Sequence, residues 1–284
     1  MPLIKTNELL KFAEEHKFGV PAINVFNYES VKFAVMAAEE ARMPLIIQYF
    51  PGLDVHASLD DIRSITINMA HKASVPIALH LDHSRGFDIA VRGLAARFPS
   101  VMIDGSSLPY EENVELTKKV VEIAHVMGVD VEAELGHVGT GSKIEDFFNP
   151  DNFTKPEQAV EFVKLTGCDS LAVAVGNAHG NYVKTPELQF DLIKELREVL
   201  DIPLVMHGGS DIPYEQMQKA VQLGMSKFNI ATEYQRCFYN TSVQFYETNE
   251  RPGNYFGNLR ALERPCIDFV KEKIAMLNPN NFSL

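Results

Sequence analysis

Apolar residues fall into short blocks separated by longer amphipathic stretches. Blocks of strand length occur at Val20 to Val25, Leu45 to Phe50, Ile77 to His83, Val101 to Asp104, Val129 to Leu135, Ser170 to Val175, Leu204 to His207 and Lys227 to Ala231. Between them, apolar residues recur at three and four spacing over Val31 to Arg42, Leu59 to Ala73, Asn113 to Met127, Pro156 to Thr166, Pro186 to Leu200 and Tyr214 to Leu223, the period of a helix with one buried face. Thr185-Pro186-Glu187 and Asp211-Ile212-Pro213 read as helix starts. Near-continuous apolar strands alternating with helices predict a parallel sheet covered on both faces. Eight such units predict closure into a (β/α)8 TIM barrel. An open doubly wound sheet would carry a glycine-rich turn after its first strand, and that position reads Asn24-Val25-Phe26-Asn27.

No low-complexity tract or linker interrupts the pattern, so residues 1–284 are expected to form a single α/β barrel domain. Gly136 to Phe153 is the longest irregular loop and an expected mobile lid. Tyr234 to Leu277 reads as extra C-terminal helices broken around Pro252-Gly253, packed below the barrel or against a second subunit.

Composition narrows the function classes. A net charge of −12 disfavours broad binding to nucleic acid or anionic membrane. No segment approaches the ~20 apolar residues of a membrane helix, and Met1 to Glu15 lacks an apolar signal core. A cytoplasmic enzyme is the expectation. Cys168, Cys237 and Cys266 show no paired spacing and are expected to be reduced, packed thiols. An anionic substrate would need a local device to hold it.

Polar residues collect where strands end: Asn24, Asp82, His83, Asp104, Glu134, His179, His207 and Asn229. In a barrel that end carries the chemistry. Asp82 and His83 are adjacent, and alternation along a strand lets both face one pocket only where the backbone turns. His83, His179 and His207 supply the three ligands of a catalytic zinc site, with Glu134 and Asp104 as further candidate ligands. Glu132 shares a strand face with Glu134, and two buried carboxylates on one face require a cation or a proton. His80 is read as structural, as are His16, His56, His71 and His125.

Two segments are suited to a phosphate. His207-Gly208-Gly209-Ser210 and Asn229-Ile230-Ala231-Thr232 follow strands seven and eight, where barrel phosphate sites characteristically form from bare backbone N–H groups. Gly180 and Lys184 are candidates to complete the cradle. A metal, a phosphate cradle and a carboxylate fit carbon–carbon bond cleavage beside a phosphorylated ketone, with Asp82 moving the hydroxyl proton. A Schiff-base aldolase would need a lysine at the mouth. Lys227 sits at the start of strand eight, the wrong end, and Lys184 lies in a loop beyond.

Leu79-His80-Leu81-Asp82-His83, Val101 to Ser106, Val131-Glu132-Ala133-Glu134-Leu135-Gly136, Asp169 to Ala174, Ala178-His179-Gly180, His207-Gly208-Gly209-Ser210 and Asn229 to Glu233 resemble the class II, zinc-dependent ketose-bisphosphate aldolases. Ser210 to Pro213 and Asn229 to Glu233 are most similar to the tagatose-1,6-bisphosphate branch. The resemblance implies a proton-donor role for Asp82 and zinc ligation by the three histidines. It also implies binding of dihydroxyacetone phosphate by Gly180, Gly208 to Ser210 and Asn229 to Thr232. The cofactors expected are zinc or another divalent metal, optionally with a monovalent cation. The partner expected is a phosphorylated ketose, and the assembly a homodimer or homotetramer.

Three departures stand out from that family pattern. Asn177 replaces the usual threonine two residues before the metal-ligand histidine. Thr140 to Asp146 keeps only the acidic pair of a Gly-Gly-Glu-Asp run. Asn254-Tyr255-Phe256-Gly257 stands where relatives often present Asp-Pro-Arg, whose arginine grips the far phosphate. Arg251 and Arg260 are the candidates to replace it, or the substrate ends in a neutral, deoxy or sulfonated tail. A metal-dependent epimerase and a non-catalytic partner subunit remain the alternative readings.

Overall fold

The protein was analysed as a computed structural model that describes residues 3–248 and 253–284. Eight strands, β1 (Val20–Asn24), β2 (Leu45–Tyr49), β3 (Ile77–Ser84), β4 (Ser100–Ile103), β5 (Asp130–Leu135), β6 (Ser170–Val173), β7 (Leu204–Met206) and β8 (Met225–Ile230), pair in sequence order, and β8 returns to β1. Every pairing is parallel. The predicted (β/α)8 TIM barrel is what forms.

The helices are α1 (Thr6–His16), α2 (Tyr28–Ala41), α3 (Leu59–Ala70), α4 (Phe87–Ala95), α5 (Tyr110–Val126), α6 (Ile144–Phe148), α7 (Pro156–Thr166), α8 (Phe190–Val199), α9 (Tyr214–Gln222), α10 (Thr232–Thr248) and α11 (Tyr255–Met276). Local chemistry starts several of them. Asn27 and Ser30 form a reciprocal capping box at α2, and Ser58 and Asp61 do the same at α3.

Strand residues alternate between two environments. Leu81 and Phe228 point outward, where an added Cβ on Gly93 or Gly19 would collide with them. The opposite face, inside the barrel, carries buried His80, Asp82, Glu132, Glu134, Lys227 and Asn229. The strands that read as continuously apolar therefore hide a polar interior, whereas barrels of this class are usually filled with branched aliphatics.

Four expectations are corrected. Helices α1 and α4 were not foreseen. The first packs against the starts of β3 and β8, anchored by Ile4 N–H on the Ile77 carbonyl and by Ser226 Oγ on Glu14. Its role is set by partners far along the chain, and α4 is too short to establish a period. The helix expected from Pro186 begins at Phe190 instead. Residues 186–189 are held by Gln216, which donates to Pro186 and accepts from Leu188, and by Gln189 N–H on the Val175 carbonyl. The loop 136–153 contains α6 and a turn of tighter helix at Pro150–Asn152. It is tied to the His179 segment by reciprocal backbone bonds, from His179 N–H to Gly139 and from Gly141 N–H to His179. Finally, α11 packs along α2 and α10 on the outside of the barrel, with Lys32 to Glu263 at 2.7 Å and Arg264 and Lys271 flanking Glu40.

No disulfide forms among the described residues, although Cys237 and Cys266 come within 3.7 Å across the α10–α11 contact. No described helix is long and apolar enough to cross a membrane. Core packing away from the polar interior sets stability. Phe162→Ala, removing a fully buried ring on α7, is expected to cost about 3–5 kcal/mol in denaturant unfolding while leaving metal stoichiometry of the folded protein unchanged.

Candidate active site

The site starts from a register fault in β3. Leu81 pairs with Val101 and Ser84 with Ile103, so three steps on β3 match two on β4. The extra residue is a bulge. Its backbone signature is His83 at φ +44°, left-handed and unfavourable for a residue with a Cβ. The strand thus continues to Ser84 instead of ending at His83. The bulge is what puts Asp82 and His83 on the same inner face.

Three imidazoles converge there. His83 Nε2 lies 3.0 Å from His179 Nε2 and 2.8 Å from His207 Nδ1, and the last two are 3.4 Å apart. Each ring's other nitrogen meets an acceptor, which assigns it the proton. His83 Nδ1 donates to Asp104 at 3.1 Å, His179 Nδ1 to the Val138 carbonyl at 3.1 Å and His207 Nε2 to Glu132 at 2.8 Å. Acceptors placed this way orient imidazole lone pairs toward a common point and raise their basicity. Burial pushes His207 well below its usual range and His179 down to about 4, favouring neutral, ligating rings. For His83 burial acts in the same direction, but Asp82, Asp104 and Glu134 outweigh it and raise its pKa to about 9. A positive charge is wanted at this point. The donor set fits a divalent metal that keeps an open position, and His83, Asp104 and Glu134 form a second group able to hold a cation.

The paired carboxylates of β5 have different solutions. Glu132 accepts from Lys227 Nζ at 2.7 Å, both groups being fully buried. Lys227 is therefore an interior counter-ion, engaged in an ion pair and not presented as a free amine. Glu134 has no such cation. Burial and Asp104 raise its pKa to about 8, and its Oε2 has no hydrogen-bond partner among the described residues.

Asp82 is held in its ionised form. Burial opposes the charge, yet His83, His207, Lys227 and a hydrogen bond from Asn24 bring its pKa below the ordinary value. Asn24 donates to one carboxylate oxygen at 2.8 Å and Asn229 to the other at 3.2 Å. Gln48 in turn fixes Asn24, donating to its Oδ1 at 2.6 Å.

A cavity of about 380 Å³ opens at the carboxyl ends of the strands and is lined by Asn24, Asp82, His83, His179, Gly180, Gly208, Ser210, Asn229, Ala231 and Thr232. Thr232 also begins α10, so the N-terminus of that helix faces the cavity, with Glu233 N–H donating to Ser210 Oγ at 3.3 Å. Gly208 has φ +61°, and a Cβ there would fall 1.9 Å from the Ala178 carbonyl oxygen. No other residue fits.

Not every expected residue arrives. Gly209 and Ile230 do not line the cavity; Gly209 N–H is bonded to the Asn229 carbonyl, and the Ile230 side chain is buried. Lys184 is exposed and lies over the Phe148 ring, outside the lining. Arg260 lines a separate groove with Lys32 and Glu263 on the barrel's outer helices. Arg251 lies outside the described residues.

The structure adds Phe50, Leu53, Arg85 and Gln235 to the lining. It also gives Asn177 a role, with Nδ2 donating to the His207 carbonyl at 3.0 Å and Oδ1 accepting from Val175 N–H at 2.7 Å. A buried amide that ties β6 to β7 accounts for the larger side chain beside His179. Gln48, inside an apolar strand, was the one sequence signal of these supports. The double variant Glu132→Gln/Lys227→Met removes the ion pair without stranding either charge. It is expected to stay folded by circular dichroism and to bind zinc about 10- to 100-fold more weakly in chelator competition.

Residues 4–281 match the family model of fructose-bisphosphate aldolase class-II. Among solved structures, the chain is similar to the YdjI aldolase from Escherichia coli K12, with 34% identity, a TM-score of 0.86 and coverage of 97% of each chain. The fold is likewise that of the fructose-bisphosphate aldolase from Campylobacter jejuni, with a TM-score of 0.85 at 24% identity, covering 99% of this chain and 97% of that one. By sequence and by structure, then, the chain belongs to the class II fructose-bisphosphate aldolase family and is an aldehyde-forming carbon–carbon lyase.

Proposed function

We propose that this aldolase catalyses metal-dependent, reversible cleavage of a ketose 1-phosphate to dihydroxyacetone phosphate and an aldehyde. The observation that carries the reading is the Asp82 carboxylate, which lines one cavity with His83, His179, Gly180, Gly208 and Ser210, while His207 is buried against His83 at 2.8 Å. The substrate's phosphate is received by backbone N–H groups around Gly208 and at the start of α10, and by Ser210 and Thr232. This needs no lysine or arginine, consistent with a chain of net charge −12. His83, His179 and His207 would hold a divalent metal, zinc by the donor set, which would supply Lewis-acid polarisation of the ketone.

Asp82 accepts the proton of the C4 hydroxyl as the C3–C4 bond breaks; C4 becomes the aldehyde, and the bonding pair passes to the ketone fragment as an enediolate that takes a solvent proton at C3 to leave as dihydroxyacetone phosphate. In condensation Asp82 returns the proton. Asn24 and Asn229 hold the carboxylate in place by bonding its two oxygens. Lys227, locked to Glu132, offers no route to a Schiff base. An epimerase acting through a similar proton transfer would release no triose, so product analysis separates the two.

Dihydroxyacetone phosphate should be released from tagatose 1,6-bisphosphate, fructose 1,6-bisphosphate or fructose 1-phosphate and should stop on chelation. Absence of triose from all three would overturn the reading. Asp82→Asn is expected to lower kcat/KM about 10²- to 10⁴-fold while still binding one metal per chain. We further propose a homodimer or homotetramer, supported by exposed Tyr239, Tyr246, Tyr255 and Phe256 on α10 and α11; sedimentation would test it.

A further inference from the structure

We propose that Arg85 reads an anionic group at the far end of the substrate, which makes it a specificity-determining residue at the barrel mouth. The inference rests on the ketose 1-phosphate reading and adds the class of tail. Among the described residues lining the cavity, Arg85 is the only lysine or arginine. Its position also matches the direction in which a substrate would run. The phosphate cradle is built on β7, β8 and the segment after β6, whereas Arg85 follows β3 directly. In a closed eight-stranded barrel paired in sequence order, β3 stands across the mouth from β7.

A ketose with its 1-phosphate in the cradle and its C4 hydroxyl at Asp82, on β3, projects C5 and C6 toward the β2–β3 side. That side presents Phe50 and Leu53 next to Arg85. Arg85 Nε lies 3.8 Å from Asp104 Oδ2, a loose ion-pair contact on the Nε side. This leaves the terminal fork, suited to bidentate binding of a phosphate or sulfonate. Its side chain is 70% exposed, so the anion would sit at the rim. Arg260, by contrast, lies in a different groove.

The test compares metal-loaded wild type with Arg85→Gln and Arg85→Lys on three probes sharing one ketose 1-phosphate frame: fructose 1-phosphate, fructose 1,6-bisphosphate and the 6-deoxy-6-sulfonate analogue. Arg85→Gln should lower kcat/KM for one or both anionic-tail probes about 10- to 100-fold, chiefly through KM, and leave fructose 1-phosphate unchanged. Arg85→Lys should recover part of the loss, and added salt should shrink the difference. The anion whose turnover collapses identifies the tail chemistry. Equal losses on all three probes would assign Arg85 a structural role through Asp104 and overturn the proposal. A wild-type enzyme indifferent to tail charge would also overturn it.

Calorimetric binding of the same probes is read in parallel, because it needs no turnover. If wild type binds the anionic-tail probes more tightly and Arg85→Gln abolishes the preference, the inference stands even where no triose is released. In that case only the cleavage reading fails. No preference in binding or turnover sinks the inference alone.

Discussion

The structure depends on the neutralisation of charges buried inside the barrel. A water-excluded interior tolerates ionised groups only in pairs with well-placed hydrogen bonds. Lys227, Glu132 and His207 form such a chain across β8, β5 and the end of β7, with contacts of 2.7 and 2.8 Å. The lysine donates to Glu132, Glu132 accepts a hydrogen bond from His207 Nε2, and His207 is left with its Nδ1 lone pair facing the other two rings. An interior that looks expensive for stability is thereby the device that prepares the site.

The same constraint separates two carboxylates that are neighbours on one strand face. Glu132 has a cation built into the fold, whereas burial and nearby Asp104 raise the Glu134 pKa to about 8. Asp82 takes a third route. Two asparagine amides and surrounding positive groups keep it ionised, and its environment differs from that of Glu134 although both are fully buried. One interior thus holds an ionised base beside a protonated acid, a separation produced by partners and not by depth.

Backbone strain is concentrated at the same place. His83 at φ +44° and Gly208 at φ +61° depart from ordinary strand and loop geometry. Both are fixed by packing around them: the register shift against β4 for the first, and the Ala178 carbonyl for the second. The segment after β6 adds a third constraint, since Asn177 and the 139–141 backbone clamp His179 between two loops. The geometry of the three imidazoles is held by elements far apart in sequence, which suits a site built before any ligand arrives.

The sequence by itself determined the barrel, because eight apolar blocks with helical stretches between them have few other ways to bury their surface. It also singled out Asp82, His83, His179 and His207, which the fold brings together, since strand ends are few and their polar residues conspicuous. Glu132 could be read only as a carboxylate in need of a partner, and Lys227 was dismissed because its position along the chain put it at the wrong end of a strand. The tertiary structure decided that they belong to each other, as the inward face of β8 meets the inward face of β5 only after closure. It also placed Arg260 in a groove apart from the cavity and Arg85 on the cavity's lining. Local pattern reports period and propensity, whereas the direction of a long side chain across a closed barrel depends on strand register and on which side of the sheet each residue faces.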